Sequence, residues 1–154
     1  MTDSVAVDQP VTYRPQKARR VCFVLAGVVF VVFAALGAAL RGPTDSGKGV
    51  FDASDQVAMV LLGVLGGLAV LAFARPKVVA DAHHVKIQNV IGGYDLPWQV
   101  VRGVRFARGN PWVTLELEDD DVVAVMAIQA ADKEYAVEAA RTLRTLLEAS
   151  RSGR

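Results

Sequence analysis

The chain has 154 residues, a formal net charge of +1 and a hydrophobic share of 53%. Its one cysteine, Cys22, excludes an intrachain disulfide framework and a paired-thiol metal site, and fits a reducing compartment. From Arg75 onward eleven Lys/Arg balance eleven Asp/Glu, which argues against a polyanion binder and so against nucleic acid as a partner.

Residues 1–20 form a lead-in that turns basic at Arg14, Lys17, Arg19 and Arg20. Two uncharged apolar runs follow, residues 21–40 and 57–74. At about 1.5 Å of rise per helical residue they reach roughly 30 Å and 27 Å, close to the hydrocarbon thickness of a bilayer, so each predicts one transmembrane helix. Arg75 and Lys77 stand just after the second run, whereas the connector 41–56 sets Arg41 and Lys48 against Asp45, Asp52 and Asp55. The positive-inside rule then predicts a multi-pass protein of the plasma (inner) membrane, with both termini cytoplasmic and the short loop external. A cleaved signal peptide is the rival reading, with Ala35, Gly37 and Ala39 near the cut. The first run is too long for it, a signal's apolar region being about 7 to 15 residues.

The segment Gly42-Pro43-Thr44-Asp45-Ser46-Gly47-Lys48-Gly49 is a turn-rich connector. It lacks the glycine spacing and the Ser/Thr that a phosphate loop needs around its lysine. Gly63 with Gly67 on the second run, and Ala34 with Ala38 on the first, are small-residue pairs that let helix backbones approach closely. They predict packing of one span on the other, with homo-oligomer formation as the alternative. Neither run holds an ionisable residue, and intramembrane charges are what mark transport pathways, so a pore or pump is disfavoured.

Residues 77–149 read as a folded cytoplasmic domain and 150–154 as a flexible tail. Val85, Ile87 and Ile91 alternate with polar neighbours up to the turn signal Gly92-Gly93, and a second strand starts near Tyr94. A further strand covers 100–106, with Val100, Val104 and Phe106 on one face. Val113, Leu115 and Leu117 alternate with Thr114, Glu116 and Glu118, and Asp119-Asp120-Asp121 turns the chain into 122–128, which predicts a hairpin. After Gln129 the period becomes helical: Asp132 is the expected N-cap, and Val137, Ala140, Leu143 and Leu147 the buried stripe. About six short antiparallel strands and one amphipathic helix predict an α+β domain, a curved sheet or small barrel whose open end the helix covers.

The step Leu96-Pro97-Trp98 followed by Val100 and Val104, the exit Ala74-Arg75-Pro76-Lys77-Val78 and the strand pair from Asp81 through Ile87 resemble the bacterial PH-like domains. In layout the chain resembles in particular the small bacterial membrane proteins in which two spans precede one such domain. The resemblance implies a PH-like β-barrel or sheet capped by a C-terminal α-helix, with Pro97 at a bend and Trp98 filling core volume. On activity it implies little. Eukaryotic PH domains that hold phosphoinositides use a basic cluster around the first hairpin; the matching Asp81-Ala82-His83-His84 is not basic, so that activity does not transfer.

Candidate sites are few. His83 and His84, adjacent on a strand, point to opposite faces and do not converge on one metal. Three consecutive acids at 119–121 suit a solvated turn better than a cation cage. No serine sits in a nucleophile elbow, and Cys22 lies at the mouth of a span without a base. No catalytic, metal or cofactor site is therefore expected, and the protein reads as a non-enzyme. Arg102, Arg105 and Arg108 are candidate contacts for anionic lipid headgroups, but a spacing of three splits Arg102 from Arg105 unless Gly103 marks a bulge. Arg14, Lys17, Arg19, Arg20, Arg75 and Lys77 are expected at the membrane surface. The expected role is to present the domain to a protein partner or a membrane assembly, with headgroup sensing as the alternative.

Overall fold

A computed structural model describes residues 9–39, 42–43 and 50–153. The expectations for residues 1–8, for most of the connector and for Arg154 lie outside the described residues. Contacts divide the chain into two units: Ala18–Ala74, and Met1–Lys17 together with Arg75–Arg154.

The first unit is a helical hairpin. Helix α1, Gln16–Ala39, begins five residues before the apolar run, and α2, Ala53–Ala72, begins four residues before the second. The early start of α2 has a local cause. The Asp52 side chain accepts from the backbone of Ser54 and Asp55, and Asp55 reciprocates on the Asp52 N–H, closing a capping box. Both helices are long and apolar enough to cross a membrane. Backbone contact between them is set by small residues. A Cβ at Gly63 would lie 2.8 Å from Phe33 Cβ, and one at Gly37 would lie 3.2 Å from Met59 Cβ. Two short strands, β2 (Gly42–Pro43) and β3 (Val50–Phe51), pair antiparallel between the helices.

The second unit is α+β. One sheet holds β1 (Val11–Tyr13), β4 (Lys77–Ala80), β5 (His84–Gln88) and β6 (Gly93–Pro97) in the order β1-β4-β5-β6. The other holds β7 (Val101–Arg105), β8 (Trp112–Leu117) and β9 (Val122–Gln129), in sequence order. All pairs are antiparallel. The two sheets do not close into one continuous ladder, and helix α3, Glu134–Ser152, packs on their shared core. That core contains Val78, Val85, Ile87, Trp98, Val113, Leu115, Val125, Ile128 and Leu143, each at most 2% exposed.

The seventh strand was not among the sequence expectations: β1 comes from the lead-in and pairs Val11 with Ala80 and Tyr13 with Val78. Three residues is too short for period-two reading. Other differences have equally local reasons. Ile91, expected to extend a strand, is 90% exposed because the chain already turns through Gly92 at φ +77°. Val101, and not Val100, faces inward, because a bulge at Arg102 shifts the register against β8. On α3 the stripe is Ala136, Ala139, Ala140, Leu143, Leu146 and Leu147, and Val137 falls outside it. The helix also runs through residues 150–152 of the expected tail. Asp132 does not cap α3; Lys133 precedes that helix at φ 52° with no capping side chain.

Candidate functional site

The Leu96-Pro97-Trp98 step is the corner between the two sheets. Pro97 ends β6, where its missing N–H is tolerated, and Trp98 opens a single 3-10 turn, Trp98–Val100, that leads into β7. Trp98 is 1% exposed, and its Nε1 donates to the Asp81 carbonyl at 2.8 Å while its backbone N–H donates to His83 O at 3.1 Å. The indole therefore fills core volume and pins the β4–β5 turn with its one polar atom satisfied. That turn is further held by the Asp81 carboxylate, which accepts the backbone N–H groups of His83 and His84, both at 2.8 Å. These two bonds hold the Asp81 carboxyl below its ordinary range, outweighing partial burial. His83 and His84 are both exposed; His84 Nδ1 lies 3.2 Å from Asp95, which also meets Lys86 Nζ at 3.3 Å.

The bulge at Arg102 brings Arg102 and Arg105 to the same exposed side of β7. Each faces a carboxylate there: Arg102 meets Asp120 at 2.6 Å and Arg105 meets Glu116 at 3.0 Å. Arg108 is exposed on the loop after β7 and makes no ion pair among the described residues. The acidic turn 119–121 thus supplies a partner for Arg102, with Asp120 in the left-handed region at φ 69°. Among the described residues, no group of three or more His, Cys, Asp or Glu is arranged to hold a metal.

Two features had no counterpart in the sequence reading. An open groove of about 620 Å³ lies between the end of β7 and α3, floored by Phe106, Ala130 and Val137 and rimmed by Lys133, Glu134, Glu138 and Arg141. The second is a tie between distant parts of the chain. The Asp132 carboxylate, 8% exposed, accepts the backbone N–H of Gln16 and of Lys17, both at 2.9 Å. Beside it the Tyr13 hydroxyl donates to Thr142 Oγ1 at 3.0 Å, and the Tyr13 and Tyr135 rings meet edge-on at 5.7 Å. No local signal marks such a tie, because its partners are backbone amides 115 and 116 residues away.

In the helical unit Gly63 and Gly67 are buried against α1, Gly67 facing Ala26 and Gly63 facing Phe30 and Phe33. On α1 the buried small residues are Ala26 and Gly37; Ala34 is half-buried and Ala38 exposed. Arg14, Lys17, Arg19, Arg20 and Arg75 are exposed and Lys77 is half-buried. The Arg19 guanidinium stands 5.8 Å from the Phe23 ring centroid.

Two antiparallel sheets closed by a C-terminal helix, with two span-length apolar helices inserted after the first strand, define a PH-like domain on a helical hairpin. Residues 75–146 match the family model described as a bacterial PH domain, and the chain belongs to that family. Among its relatives are uncharacterized proteins of Mycobacterium tuberculosis and Mycobacterium bovis. Each is 38% identical over 140 residues, spanning 91% of this chain and 90% of the relative. No solved structure matches the chain.

Proposed function

We propose that this is a non-enzymatic inner-membrane protein that presents its PH-like domain on the cytoplasmic side to a protein partner or a membrane assembly. The observation that carries the reading is the exposure of the hairpin's apolar surface. Val21, Val24, Val31 and Leu65 are each more than 60% exposed. In water two such helices would be left with an apolar face that nothing buries; lipid supplies that burial. The pairing of β1 with β4 supports the same-side reading of the two ends. A strand before the first helix and a strand after the second meet in one sheet, which requires an even number of crossings between them. The cations Arg14, Lys17, Arg19, Arg20, Arg75 and Lys77 flank the hairpin on that shared side, which favours the cytoplasmic face. There each contributes about 1 kcal/mol of attraction to anionic lipid.

A protein partner is favoured over a headgroup because Arg102 and Arg105 each already face a carboxylate, Asp120 and Glu116, so neither charge is free for an anion. Tethering also raises the local concentration of the domain, so a weak contact suffices. The test is crosslinking in native membranes followed by purification of the full chain in detergent. A stoichiometric protein partner, or a second copy of the chain, supports presentation of the domain; repeated recovery of a lone monomer argues against it. A reporter fused after Arg154 that is active only outside the cell overturns the orientation.

A further inference from the structure

We propose that Asp132 is a clasp: a carboxylate of the PH-like domain that acts as the N-cap of the first apolar helix, so that completion of the domain and formation of that helix's first turn depend on each other. A helix leaves its first N–H groups without intrahelical partners, and a side-chain oxygen at the N-cap position ordinarily accepts from them. The residue before α1 is Pro15, which has no such oxygen and is less than 2% exposed. Asp132 fills the role from the far end of the sequence, with one carboxylate oxygen on Gln16 N–H and the other on Lys17 N–H. Gln16 and Lys17 lie within the domain unit even though the helix they begin continues beyond it. A negative charge at a helix N-terminus is also favourable to the helix dipole.

The local backbone is arranged for this task. Asp132 closes a 3-10 turn, Ala130–Asp132, and Lys133 follows in the left-handed region at φ 52°, a conformation that costs a non-glycine residue energy. The consequence is that α3 starts without a side-chain cap while the Asp132 carboxylate just before it serves another helix. Although Arg14, Lys17, Arg19 and Arg20 are close in sequence to its partners, Asp132 makes no ion pair with any cation among the described residues. Its two oxygens are bonded to amides that converge only when residues 15–17 adopt the geometry of a helix start. Unravelling that start leaves a buried carboxylate without partners, and removing the carboxylate leaves two N–H groups without acceptors. Such a dependence is reciprocal.

The test uses the full chain in lipid nanodiscs, with amide hydrogen exchange at residues 16–20 and thermal unfolding of the domain as separate readouts. The amides of Val113 and Leu115 in β8 report whether the domain is folded. Asp132→Ala is expected to speed exchange at residues 16–20 at least tenfold while the β8 amides stay protected, and Asp132→Asn is expected to fall between. Gln16→Pro removes one donor at the first helical position, where proline is tolerated, and is expected to lower the domain's melting temperature although it lies outside the residues 75–146 that match the family model. Combining Asp132→Ala with Gln16→Pro is expected to do little more than Asp132→Ala alone. Unchanged exchange at residues 16–20 in a folded Asp132→Ala protein overturns the clasp, and so does additivity of the two changes. Should Asp132→Ala fail to fold, an unaltered melting temperature in Gln16→Pro overturns it.

Discussion

Asn89 holds its carboxamide across to the second sheet, donating from Nδ2 to Ala124 O at 2.8 Å and accepting the Met126 N–H on Oδ1 at 3.1 Å, while only 8% exposed. It thereby stands in for a ladder rung where β9 departs from regular register beyond Val125. Asn89→Ala leaves both backbone groups without partners in a partly buried position and is expected to destabilise the domain by about 1–3 kcal/mol; the denaturant midpoint of the full chain measures it. Asp81 makes a prediction in pH. Its carboxyl is held low by the amides of His83 and His84, so the bonds contribute stability above the unfolded value of about 3.9. That contribution fades as pH falls through the depressed folded value. The difference in melting temperature between wild type and Asp81→Ala is therefore expected to be full near neutral pH and to shrink progressively below about pH 4. A difference that grows on acidification would contradict the assignment. Neither residue stood out in the sequence. Asn89 sits next to a turn, where asparagine is ordinary, and the irregularity it repairs lies in β9, a strand of the other sheet.

The outer strand of the three-stranded sheet, β7, is covered by side chains and not by another strand. Arg144 Nε donates to Val104 O at 3.1 Å, and Arg151 Nη2 donates to Val101 O at 3.3 Å and Arg102 O at 2.7 Å. Helix α3 thus covers the core with one face and occupies edge carbonyls with its flank, a means of blocking edge-to-edge association. Changing both arginines to alanine is expected to speed amide exchange in β7 and to yield concentration-dependent self-association, read by sedimentation. In the hairpin, Gly63→Val and Gly27→Val offer a contrast. A Cβ at Gly63 meets Phe33 Cβ at 2.8 Å, whereas one at Gly27 meets nothing within 4 Å. The first is expected to destabilise the hairpin by about 1–3 kcal/mol and the second by well under that, both followed by helical circular dichroism on heating in detergent. Legibility followed the length of the repeating signal. The alternation at Val113, Leu115 and Leu117 runs through an uninterrupted strand and marked its buried face directly. The same reading put Val100 inward because one extra residue at Arg102 inverts every face before it. Trp98 was legible as core from its Leu-Pro-Trp setting; the Arg102–Asp120 and Arg105–Glu116 pairs, which come from register, were not.

Taken entire, the chain encloses its hairpin: β1 precedes the first apolar helix, and its partner β4 follows the second. A fragment starting at Arg75 keeps the residues that match the family model yet loses a sheet strand and both partners of the buried Asp132 carboxylate. It is expected to be less stable than the domain in the full chain by at least about 2 kcal/mol, measured by thermal unfolding of the two side by side; equal melting would show that β1 contributes nothing. This dependence lay beyond the sequence reading, since composition sets residues 1–20 apart from the domain and only long-range pairing joins them. The enclosure also sets a timetable for biosynthesis. Tyr13 leaves the ribosome well before Val78, its partner in the sheet, and Lys17 emerges 115 residues ahead of Asp132. At roughly 5–20 residues per second, the opening strand waits for several seconds. The earliest part of the domain to be made is thus among the last to find its place.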